Sequence, residues 1–121
     1  EADYLKNIAS ALSENVRFMS SEKRRSLHLA AVFACNFTNH IYTLSYKLLE
    51  NESIPADVLL PLIDETAAKI HSMSPSAAQT GPAIRYDENV INKHLAMLDD
   101  PDMKAIYQLL SRSIHKEAQN E

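Results

Sequence analysis

A few residues carry side chains able to act on a substrate, and their spacing says how. Asn36 and His40 stand four apart in the stretch LHLAAVFACNFTNHIYTLSYKLL, so on a helix they share one face. An amide there can orient a substrate oxygen, and an imidazole can move a proton near neutral pH. The same two groups would serve equally as a buried couple bonded to neighbouring helices, because polar atoms in apolar surroundings need partners. Arg85 and Asp87 follow the lone glycine, Gly81. Asp87 is placed to cap a helix, while Arg85 can either pair with an acid such as Glu65 or reach an anionic ligand. Glu65 and Thr66, adjacent and therefore facing different ways, complete the candidates together with His71 and His94.

Other chemistries find no support. The spacing of Asp64, Glu65 and His71 matches no recognised metal set, and neither HExxH nor GxSxG occurs, so no metal site and no serine nucleophile are expected. A phosphate-cradling loop needs several glycines at fixed spacing, and the 121 residues contain one. Twelve Lys and Arg against sixteen Asp and Glu give a net charge of -4, the wrong sign for a protein that grips phosphate backbone. Nucleic acid is not an expected partner. Cys35 permits no internal disulfide and points to a reducing, cytoplasmic compartment. No membrane span or leader is read from the chain. Glu1 is not a methionine, and the chain reads as part of something longer.

The elements that must position these residues are all helical. Ser21 to Glu50 reads as one helix, apolar nearly all round, with Leu27, Ala30, Ala31, Ala34, Phe37, Ile41, Leu44 and Leu48 along one stripe. It is long enough to be packed on several sides. An amphipathic helix from Asp3 to near Phe18 precedes it. A third, up to Met73, contains Pro61, which predicts either a kink or a fresh start at that point. Ser74 to Tyr86 reads as a loop of about thirteen residues, long enough to be functional. Asp87 then caps a fourth helix, and Asp100 followed by Pro101 opens a fifth that buries Met103, Ile106, Tyr107, Leu110 and Ile114. No alternating strand pattern appears. The expected fold is all-α, a single domain of about five helices wrapped on the long one. Its excess apolar surface predicts a homodimer.

LHLAAVFACNFTNHIY, PLIDETAAKI and QTGPAIRYD followed by HLAML together resemble one family, from about Leu5 to Ile114. It is a domain of unknown function that forms the C-terminal half of bacterial Rossmann-like proteins named as NADP-dependent oxidoreductases. QTGPAIRYD is the most specific piece, and the fuller phrasing is similar to Bacteroides-type members. The resemblance implies a helical domain like the C-terminal domains of 6-phosphogluconate dehydrogenase and pyrroline-5-carboxylate reductase. It also implies a Rossmann-like N-terminal part that holds NADP or NAD, with no cofactor bound by these 121 residues alone. The family's motif falls here on Asn36, Pro61, Glu65, Thr66, Thr80, Gly81, Pro82, Arg85, Asp87 and His94.

Two functions then compete. In the first, the chain is the substrate-binding and dimerisation domain of an oxidoreductase acting on an unknown small molecule. Asn36 and His40 are its catalytic candidates, and Thr80, Gly81, Arg85, Glu65, Thr66, Asp87 and His94 contact substrate. In the second, it is a non-catalytic helical interaction module, a reading favoured by the shortage of a recognisable acid–base constellation.

Overall fold

The computed structural model describes residues 19–120. The helix expected from Asp3 to Phe18 lies outside the described residues. The chain divides into two compact units, one reaching Leu48 and the other running from Leu49 onward. Among the described residues there is no strand, in agreement with the all-α expectation.

The long helix is continuous over 31 residues, but it is not one regular α-helix. It comprises α1 (Ser21–Ala31), a π-helical segment (Val32–Phe37) and α2 (Thr38–Asn51). Ser20 caps its start, the hydroxyl accepting a hydrogen bond from the Lys23 amide at 3.2 Å. In the π segment the ladder shifts from i→i+4 toward i→i+5 bonding. Just past it, the Thr38 hydroxyl donates to the Phe33 carbonyl five residues back, at 3.2 Å, and so gives that carbonyl a partner where the ladder changes step.

Contrary to the expectation of a rod packed on several sides, none of its residues is buried in this chain. Leu29, Phe33, Phe37, Ile41 and Leu48 are exposed, Phe33 by 62%. Phe33 and Phe37 meet edge to face, ring centres 5.1 Å apart, in the T-shaped arrangement that aromatic pairs favour.

The second unit begins with the end of α2. Ser53, at φ 56°, takes the left-handed turn that glycine usually fills, and two backbone bonds close the helix around it. Ile54 N–H donates to the Leu49 carbonyl and Ser53 N–H to that of Glu50, both at 3.0 Å, the bond pair of a Schellman cap. A 3-10 turn (Ala56–Leu59) leads into α3 (Leu60–Lys69). Pro61 sits in the first turn of α3, where a missing N–H leaves nothing unpaired, so the fresh start is the outcome and not the kink.

The expected loop from Ser74 to Tyr86 contains one helical turn, α4 (Pro75–Ala78), capped by the Ser74 hydroxyl on Ala77 N–H at 3.3 Å. A serine cap followed by proline starts a helix here just as Asp100–Pro101 does later. Four residues are too few to show a period.

α5 (Glu88–Met97) is capped by Asp87, whose Oδ1 accepts from Val90 N–H at 3.3 Å. α6 (Pro101–Gln119) is capped by Asp100, with Oδ2 accepting from Met103 N–H at 3.2 Å. Among the described residues those buried are Ala83, Ile91 and Leu98, joined by Ser111. α6 turns Met103, Tyr107, Ser111, Ile114 and Ala118 inward to different degrees, spaced by three or four as one helix face must be. Leu110, expected in the core, is 48% exposed. It lies one position off that face, and the small Ser111 takes the buried place.

Removing a cap should be felt directly. Asp100→Ala is expected to lower the unfolding free energy by about 1 kcal/mol, with the urea midpoint moving down and the slope unchanged.

Candidate functional site

The turn that carries the most specific motif is built from backbone. Gly81 adopts φ 105°, a region that side chains resist, and a Cβ there would meet nothing within 4 Å. Glycine is therefore required by the backbone angle and not by crowding. Asp87 N–H donates to the Pro82 carbonyl at 2.9 Å and Tyr86 N–H to that of Ala83 at 3.1 Å, closing residues 82–87 on themselves. Ala83 is buried beneath.

Tyr86 itself lies at φ 50°, a left-handed conformation that costs a bulky residue roughly 1–2 kcal/mol. Its ring is tilted against that of His115, centres 5.4 Å apart. His115 Nδ1 bonds the Ile84 carbonyl at 3.0 Å; since a carbonyl only accepts, Nδ1 must carry the proton. The turn is thus fastened to α6 by one imidazole. Sequence reading missed His115, although it stands four residues after Ser111 and eight after Tyr107, on the inward side of α6.

Several expected site residues are committed to partners. The Thr66 hydroxyl donates to the Leu62 carbonyl one turn back at 2.8 Å. Glu65 pairs with Lys69, Nζ to Oε1 3.7 Å, and Arg85, exposed, makes no ion pair among the described residues; the anticipated Arg85–Glu65 couple is replaced by this ordinary i,i+4 pair, worth little in solvent. Asp87 is occupied as the α5 cap. His94 Nδ1 and the Tyr107 hydroxyl share a hydrogen bond of 2.7 Å, their rings edge to face at 5.7 Å, which ties α5 to α6. His71 is exposed. Burial pushes the Tyr107 phenol above its ordinary value of 10.0, because the anion loses more hydration than the neutral form.

Thr80 and Gly81 remain exposed beside Arg85 in sequence, and Gln79 Nε2 donates to the Thr80 carbonyl at 3.0 Å. Asn36 and His40 belong to the first unit. Asn36 lies in the π segment and His40 in the first turn of α2, and both are exposed. They are not the buried couple that the sequence allowed as an alternative. Irregular turns of this kind inside helices are frequent at functional sites. Among the described residues no group of three or more His, Cys, Asp or Glu gathers as a metal site.

A family model described as "Domain of unknown function (DUF2520)" matches residues 1–114. The chain belongs to the DUF2520 family. Among solved structures, the DUF2520 chain is similar to a protein of Bacteroides fragilis whose name is "putative NADP oxidoreductase BF3122". The two are 66% identical with a TM-score of 0.79, over 81% of this chain and 38% of that one. The DUF2520 chain thus spans well under half the length of that relative. No curated protein matches it. The resemblance carried by QTGPAIRYD and the long-helix segment is confirmed by both findings.

The raised Tyr107 pKa has a signed consequence for this DUF2520 domain. The contribution is fully present below pH 10, where the phenol is neutral folded or unfolded, and is lost as pH rises through the folded value, because the unfolded chain ionises first. Stability should therefore fall in alkaline solution above about pH 10, and Tyr107→Phe should flatten that part of the profile. Chemical denaturation across the alkaline range, with phenolate absorbance recorded in parallel, checks it.

Proposed function

We propose that this DUF2520 domain is the helical substrate-binding and dimerisation part of an NADP-dependent oxidoreductase of the bacterial cytoplasm. In this reading NADP or NAD is held mainly by a Rossmann-like N-terminal part of the same polypeptide. The observation that carries the proposal is the 66% identity, along 81% of the chain, to a segment of the named Bacteroides fragilis protein.

The residues present do not fit a dinucleotide cradle: the chain has one glycine, and no strand occurs among the described residues. No step through the cofactor is assigned to them. Their part is to bind and orient. Gly81 N–H and the Thr80 hydroxyl are donors just before the closed 82–87 turn, Arg85, with no ion pair among the described residues, supplies a guanidinium for an anionic substrate group, Asn36 orients a substrate oxygen, and His40 holds or gives a proton. Thr66, Asp87 and His94 contribute by fixing the elements around them, and the exposed Glu65 carboxylate by contacting substrate. Cys35, free and half-buried, suits a reducing compartment.

One observation favours the second reading, a non-catalytic module. The polar groups of Thr66, Asp87 and His94 are already spent on structural partners. NADP binding by the intact protein without turnover on any small hydroxy or amino acid would support the module.

Two experiments test the leading reading. In the full-length protein His40→Ala should lower turnover by about a hundredfold while NADP affinity stays within about twofold; equal loss of both would reduce His40 to a structural role. Light scattering at micromolar concentration should show a dimer, and Phe37→Glu, which puts a charge into the exposed apolar stripe, should convert it to monomer. A wild-type monomer would overturn the dimerisation half of the proposal.

A further inference from the structure

α4, the turn that follows it and the last turns of α6 surround a cavity of about 410 Å³, within the range of small-molecule sites, about 300–1,000 Å³. None of the substrate residues proposed above lines it. Ile84 and Ile114 supply apolar wall, Ser76, Gln79 and Ser113 bring hydrogen-bonding side chains, and Glu117 brings the one charge in the lining. Within the lining the charge has a single sign. Glu117 lies in the last turn of α6, where the unpaired carbonyl ends of a helix carry partial negative charge of their own. A carboxylate and a helix C-terminus together favour a cation and disfavour an anion.

The wall is not a loose loop. The His115 bond to the Ile84 carbonyl and the Tyr86–His115 ring contact hold the turn on α6, so the cavity is preformed at its apolar side. The Gln79 amide is oriented by its Nε2 bond to Thr80, which makes its oxygen the end able to accept. Glu117 stands beyond residues 1–114, the part that the family model describes.

We infer that this cavity binds a small protonated amine with a compact apolar body. The ammonium group has three donors and no acceptor. Glu117, the Gln79 oxygen and the Ser113 hydroxyl match them, and the hydrocarbon lies against Ile84 and Ile114. This inference stands on the cavity and its charge, and does not depend on the oxidoreductase reading.

The test is a titration of the isotope-labelled full-length protein, followed by amide chemical shifts, with three probes of one shape: cyclohexylamine, protonated at neutral pH, cyclohexanol and cyclohexanecarboxylate. The expected result is shifts confined to residues around Gln79, Ile84 and Ile114, with the amine bound about fivefold more tightly than the alcohol, as an exposed carboxylate allows, and the carboxylate more weakly than either. Glu117→Gln, at an exposed position, should erase the preference and leave the alcohol's affinity unchanged. Ser113→Trp should abolish binding of all three by filling the space. Equal affinities for the three probes, shifts elsewhere, no binding, or a preference that survives Glu117→Gln would each overturn the inference.

Discussion

Apolar surface left in water is the constraint under which this chain folds. Stabilisation by burial grows with the apolar area removed from solvent, at about 25 cal/mol per Å², and little of that area is removed within the chain. The buried apolar residues among those described are Ala83, Ile91 and Leu98, one of them alanine. Phe33 at 62% exposure, Leu62 at 59% and Met97 at 75% remain in water. The similar Bacteroides fragilis protein, of which the matched region is 38%, shows the scale of polypeptide in which such a domain occurs.

Within the second unit, short-range chemistry fills the gap that a thin core leaves. Ser74, Asp87 and Asp100 each satisfy an amide in the first turn of a helix, and the Ser53 turn satisfies carbonyls at the end of α2. These bonds define where each helix starts and stops, yet each contributes only about 1 kcal/mol. What they cannot do is fix helices against one another. His94 with Tyr107 joins α5 to α6, and His115 with Ile84 joins the 82–87 turn to α6.

The features legible in the sequence are those whose physics is local. Caps at Asp87 and Asp100, a break of some kind at Pro61 and the special backbone at Gly81 follow from the residue and its immediate neighbours. The π segment was hidden, because a shift in hydrogen-bond register leaves the apolar spacing of Phe33, Phe37 and Ile41 intact. Pairings across a helix seam were hidden for a different reason. His94 and Tyr107 are thirteen residues apart, and only packing decides which ring meets which. Among the candidate site residues, the role of Asp87 as a cap was readable from its place before the helix, whereas the fate of Glu65 was open until the nearest lysine on its own helix took it. The identity of the family was legible in QTGPAIRYD, a run whose glycine and cap are both needed by the turn they build.

The widened turn between Val32 and Phe37 acts as an angular offset. Each residue of an α-helix advances about 100° around the axis, and a π turn takes in one residue more than an α turn. Ser21–Ala31 is therefore rotated relative to Thr38–Asn51 from where an unbroken ladder would set it, and the basic start at Lys23, Arg24 and Arg25 presents a different azimuth from the one a helical wheel assigns. Removing a single residue from the segment would let an ordinary α ladder carry both halves at the azimuths they hold now.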